Sequence, residues 1–170
     1  MFRNLLHYFG YLIFINIFAD RYTICMPDFK YQTELNRLFE NGRVLPSLDI
    51  PQSKLAYRYI FDYEHPNNHK PIYIQNPKRR QSHTDSDRLT TSGYALSCFE
   101  KKESAVKQFK NLKNTHKNID NSIGNALCGG FLDEKDGLIT DSNEKTTHFD
   151  LYEYSECNLG DKFEVKQRLV

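Results

Sequence analysis

The sequence predicts an α+β domain: a largely antiparallel sheet, two packed helices, and a short apolar segment at the N-terminus. Three observations carry that expectation. Several short segments alternate apolar and polar side chains with the two-residue period of a strand. Two longer segments carry an apolar stripe at helical spacing. Strands and helices mix without the regular strand–helix–strand alternation that a parallel sheet requires. The composition agrees, with 39% hydrophobic and 26% charged residues in a chain of 170, enough for one packed core.

In chain order, Leu5 to Ala19 is strongly apolar, with Arg3 before it and Asp20-Arg21 after it. His7, Gly10 and Asn16 interrupt it, and it falls short of the roughly 20 residues of a membrane-spanning helix. Three readings of residues 1–25 stand side by side: a spurious or dispensable extension, a signal or membrane-surface anchor, and an integral core helix. Ile17-Phe18-Ala19 is a poor small-x-small cleavage site, and Met26-Pro27-Asp28 makes an ordinary start for a soluble chain. The expectation is therefore a single domain over 26–170. It is read as cytoplasmic, with membrane association or export as the alternative if residues 1–25 are genuine.

Asp28 is placed to cap a helix running to about Asn41, with Gly42 as its stop. Pro46 and Pro51 mark a connector. The spacing predicts strands over Leu55–Phe61, Ile72–Ile74 and Tyr94–Phe99, with a long polar loop from Lys78 to Ser92. A helix over Lys102–His116 buries Ala105, Val106, Phe109 and Leu112, and turns Lys107, Lys110, Lys113 and Lys117 outward. The last third reads as an antiparallel meander. Ala126–Asp133 and Leu138–Thr140 flank an Asp136-Gly137 turn, and strands over Thr147–Tyr154 and Lys162–Gln167 follow.

The formal net charge of +1 gives no global field that would recruit a polyanion. Cys25, Cys98, Cys128 and Cys157 form no C-x-x-C pair, so they read as reduced thiols and not as a disulfide or zinc framework. His65 and His69 lie four apart, but Pro66 opposes a helix between them. Asp85-x-Asp87 reads as a solvated turn, so no metal is expected.

Two charges stand out. Arg58 shares its strand face with Ala56 and Ile60, and Glu153 shares its face with Phe149 and Leu151. A charge on a core-facing position is costly unless it is paired or lines a wet cleft. Ser97 sits between Ala95 and Phe99 on a third strand. His148 and Tyr152 fall on the opposite face from Glu153.

The chain order Arg58, Ser97, Glu153 resembles that of the ADP-ribosyltransferase-like fold, whose Arg–Ser–Glu members split a nicotinamide dinucleotide. Ala95-Leu96-Ser97-Cys98-Phe99, followed by a helix bearing Ala105 and Phe109, is similar to that family's Ser-Thr-Ser strand. Thr90-Thr91-Ser92 is a second candidate for the same motif. The resemblance spans about residues 55–166. It implies NAD as substrate, Arg58 as a phosphate clamp, Ser97 or Ser92 as a brace near the nicotinamide ribose, and Glu153 as the catalytic carboxylate. A toxin- or defence-type enzyme, with a protein as partner or modified target, would fit it. The family's Glu-x-Glu is replaced here by Glu153 and Glu156 with two residues between them. Two other readings stand beside this one. The first is a non-catalytic protein-binding module of accessory or immunity type. The second is a nucleic-acid-binding protein that uses Lys78-Arg79-Arg80 and the lysine face of the second helix.

Overall fold

The computed structural model describes residues 28–61, 64–80 and 90–170 of the chain. Residues 1–25 with Cys25, the start at Met26, and the Asp85-x-Asp87 turn in the long loop lie outside the described residues.

The core is one six-stranded antiparallel sheet, flanked by helices. Its strands are β1 (Lys54–Ile60), β2 (Leu96–Phe99), β3 (Ala126–Leu132), β4 (Gly137–Ile139), β5 (His148–Glu153) and β6 (Glu164–Arg168), in the spatial order β4-β5-β2-β1-β3-β6. Five helices are described: α1 (Gln32–Glu40), α2 (Ile72–Gln75), α3 (Lys102–Thr115), α4 (Asp120–Ile123) and α5 (Leu159–Lys162). The α+β class with an antiparallel sheet is therefore what the chain adopts.

Three local expectations are corrected. Asp28 does not cap α1, because the chain before the helix pairs with β5 instead. Lys30 N–H donates to Glu153 C=O at 2.8 Å, and Ser155 N–H donates to Asp28 C=O at 2.9 Å. The helix then starts at Gln32 and ends before Gly42, whose φ of 75° suits glycine. Ile72–Ile74 is not a strand but the short helix α2. Pro71 leads into it, and Gln75 donates its side-chain amide back to Lys70 C=O at 2.6 Å. Its Tyr73 ring meets Tyr94 edge-on at 5.3 Å. The strand expected from Tyr94 starts two residues later, because Thr91–Tyr94 form a 3-10 turn.

The meander is corrected as well. A turn does join β3 to β4, with Asp136 N–H donating to Asp133 C=O at 3.1 Å. The two strands do not pair. β3 is held between β1 and β6, while β4 pairs with β5 and is bridged on its other edge by Asp49, opposite Ile139. Strands four places apart in the sheet are thus joined by a tight turn, which requires the sheet to curl. Among the described residues, the halves β4-β5-β2 and β1-β3-β6 are laddered through one bridged pair, Tyr57 opposite Phe99. The inward face of the curl forms the main core, with Ala56, Ile60, Ala126 and Cys128 from one half and Leu96, Cys98, Phe149 and Leu151 from the other. Cys157, Leu159 and Phe163, on the crossing from β5 to β6, complete it. Outside, α3 lays Ala105 against Phe99 and Leu127, while α1 lays Leu35 and Leu38 against Tyr152.

Candidate functional site

The strand period and the curl together decide where the charges go. On β1, Ala56, Arg58 and Ile60 point inward; on β5, Phe149, Leu151 and Glu153 do the same. Arg58 therefore enters the interior from one half-sheet and Glu153 from the other. Both are almost fully enclosed, at 6% and 3% exposure.

Neither is fully bonded. Among the described residues, Arg58 Nε and Nη1 and Glu153 Oε2 are buried without a hydrogen-bond partner. No ion pair forms between the two side chains. Glu153 Oε1 instead accepts from Lys30 Nζ at 3.2 Å, and the same ammonium donates to Cys157 C=O at 2.9 Å. Burial pushes the Glu153 carboxyl above the usual carboxylate range, while the charges of Lys30 and Arg58 pull against that rise.

His69 joins this group. Its Nδ1 is also buried and unpartnered, its backbone sits at φ 54°, and its ring meets Phe163 edge-on at 6.1 Å. Burial first, then the Arg58 and Lys30 charges, lower its pKa to about 4, so the ring is neutral at physiological pH. A non-glycine residue held at positive φ costs about 1–3 kcal/mol, and such strain gathers at functional positions.

Beside this interior, α2 and the diverging ends of β1 and β2 enclose a crevice of about 120 Å³. Arg58, Lys70, Gln75, Ser92, Ser97 and Ser122 supply its polar lining, and no carboxylate is among its residues. A phosphate or another anion would find guanidinium, ammonium and hydroxyl donors there.

The structure thus brings Arg58, Ser92 and Ser97 to one crevice, and sets Arg58 and Glu153 on one inward face. It does not place all four together. Tyr57 is opposite Phe99, and Ser97 is opposite Asp150, so Ser97 projects from the outer face of β2 and is exposed. Ser92 is exposed as well, with its hydroxyl 2.7 Å from that of Thr90. Glu153 is absent from the crevice lining.

Sequence reasoning missed Lys30 and Lys70, and saw His69 only as a metal candidate. His65 stacks on Phe61 and accepts from Asn67 N–H, so it does not converge with His69. Among the described residues no group of three or more His, Cys, Asp or Glu is placed to hold a metal. Counting by two finds Arg58 and Glu153, but no local pattern marks a residue delivered by a loop or by the chain before a helix.

The other constellations are less built. Lys102, Lys107 and Lys110 line a broad groove on α3 that also contains Glu103, while Lys113 is tied to Asp120. Lys78 and Arg79 are exposed on a 3-10 turn. Among the described residues, no helix is long and apolar enough to cross a membrane. Cys98, Cys128 and Cys157 are free and buried. No family model, curated protein or solved structure matches the chain.

Proposed function

We propose that the chain is an ADP-ribosyltransferase-like enzyme that splits NAD. One observation carries the reading: Arg58 and Glu153 both point into the interior, from separate half-sheets, with buried, unsatisfied donors on one and an unsatisfied acceptor on the other. A ligand that offers an anionic oxygen to the first and a hydroxyl to the second would satisfy both. A phosphorylated ribose is such a ligand.

In this reading Arg58 holds a phosphate, with Lys70, Ser92 and Ser97 along the same crevice. Glu153 accepts from a hydroxyl of the nicotinamide ribose and opposes the positive charge that grows at its anomeric carbon. The bond from that carbon to the nicotinamide nitrogen breaks, and its electron pair neutralises the pyridinium. Water or an acceptor side chain bonds to the carbon and releases a proton to solvent. A dinucleotide needs more than the present crevice, since ligand sites commonly hold about 300–1,000 Å³. The seam between β1 and β2, closed by a single bridged pair, is the place that would widen.

The test is nicotinamide release from NAD by the full chain and by E153Q, with melting temperatures in parallel. Wild type is expected to turn over NAD and E153Q to lose at least about a hundredfold in rate, the scale of removing one electrostatic stabiliser. Because burial already disfavours the ionised carboxyl, Gln is expected to leave the melting temperature equal or higher. Equal turnover by the two proteins would remove Glu153 from the chemistry. No turnover and no stabilisation by NAD would leave the non-catalytic binding module as the better reading.

A further inference from the structure

We propose that Lys30 is a positioning residue: its ammonium grips one oxygen of Glu153 and leaves the other directed at substrate, in the site read above as splitting NAD.

The contact is built and not incidental. Residues 28–30 lie beside β5 just past the point where β2 ends, since the β2 ladder stops at Leu96 opposite Leu151 and Phe29 forms the next bridge, with Tyr154. The Phe29 ring stacks on Tyr154 at 5.7 Å and packs against Tyr152 at 6.0 Å. Backbone bonds on both sides of Phe29 fix the register. Lys30 Nζ is then held by two acceptors, Glu153 Oε1 and Cys157 C=O. A long lysine stem is ordinarily mobile, but here its root and its tip are both tied. The result at the carboxylate is asymmetric, with Oε1 engaged and Oε2 buried and unpartnered.

The charge matters as much as the aim. The groups that face Glu153 come from several elements: Arg58 on β1, Cys98 on β2, Cys157 after β5, and Tyr31 at the start of α1. Of these only Arg58 is a cation, and it makes no direct bond to the carboxylate. Lys30 is therefore the single cation in hydrogen-bond contact with it among the described residues. An opposite charge at this range lowers a carboxyl pKa by roughly 1–3 units.

The experiment follows the Glu153 carboxyl by isotope-edited infrared titration of the full chain, with the band assigned by its loss in E153Q. K30M is expected to move the midpoint up by about one unit or more, and K30R to restore it. The acid limb of NAD turnover should move by the same amount. Should K30M fail to fold, K30Q serves, because its amide can keep one of the two contacts without the charge. A midpoint that stays put in a folded variant overturns the proposal and leaves Lys30 as a tether. If the midpoint moves while wild type does not consume NAD, the coupling stands and the NAD reading alone falls.

Discussion

Replacing Arg58 by methionine distinguishes a structural ion pair from a binding group. Two terms set the outcome. Arg58 Nε and Nη1 are buried without partners, and each unsatisfied donor costs about 1–3 kcal/mol. Removing both recovers about 2–6 kcal/mol. Against this stands the lost attraction to Glu153. No Arg58–Glu153 ion pair forms within 4.0 Å, so at an effective dielectric of about 20 the attraction is below about 4 kcal/mol. Methionine keeps most of the apolar stem volume that packs with Ala56 and Ile60. Together the two terms set the net change between a loss of about 2 and a gain of about 6 kcal/mol, centred on a gain of about 2 kcal/mol, which raises the melting temperature by about 4–8 °C in a domain of this size. Urea unfolding and thermal melts of wild type and R58M measure it, each with and without NAD. On the proposed reading NAD stabilises wild type, and that stabilisation should vanish in R58M. A loss of about 3–5 kcal/mol, the signature of a broken buried pair, would refute the reasoning and make Arg58 a structural residue.

Two further outcomes follow from burial. His69 is neutral in the fold and titrates at about 4, below the ordinary histidine value of 6.5. The unfolded chain therefore binds the extra proton first. Stability is whole above pH 6.5 and falls as pH drops toward 4, by on the order of 3 kcal/mol at the acid end. His69→Asn should flatten that limb in a pH series of urea midpoints, and an unchanged limb would contradict the assignment. Burial also pushes the Cys98 thiol up to about 12 and the Cys128 thiol up to about 11, and raises Cys157 as well. At pH 8 these three thiols should resist alkylation in the native state and react on unfolding. Peptide mass spectrometry reads this site by site, and rapid native labelling would show that the core opens locally.

Much of the fold was legible because its signals are local. The two-residue alternation marks β1 and β5 within a residue of their ends, and the 3.6-residue stripe marks α3 through Ala105 and Phe109. What misled was partnership. Ile72-Tyr73-Ile74 has strand-like residues, but Tyr73 packs on Tyr94 from a helical turn. The Asp136-Gly137 turn is real, yet a turn specifies only that two chain ends approach. Whether the strands then pair depends on which edges are free, and β1 and β6 already occupy both edges of β3. The candidate site divides the same way. Arg58 and Glu153 announce themselves as charges out of phase with their neighbours. Lys30 and His69 reach the same region from irregular chain, where sequence spacing carries no direction.

The geometry of the two charges argues against a role confined to stability. A pair kept for the fold would sit in contact, because only close contact and full hydrogen bonding offset the cost of burying both ions. Here the guanidinium and the carboxylate project from separate half-sheets, and the carboxylate gives one oxygen to Lys30 instead of to Arg58. Methionine and glutamine would fill the same space at lower cost. The curl of the sheet compounds the point, since it carries both side chains inward beside the seam where, among the described residues, Tyr57 and Phe99 form the one bridged pair between β1 and β2. A protein optimised for rigidity would close that seam with a longer ladder. Unsatisfied charge set beside a weakly joined seam costs stability in the ligand-free chain, and a ligand bridging Arg58 and Glu153 would recover it on binding.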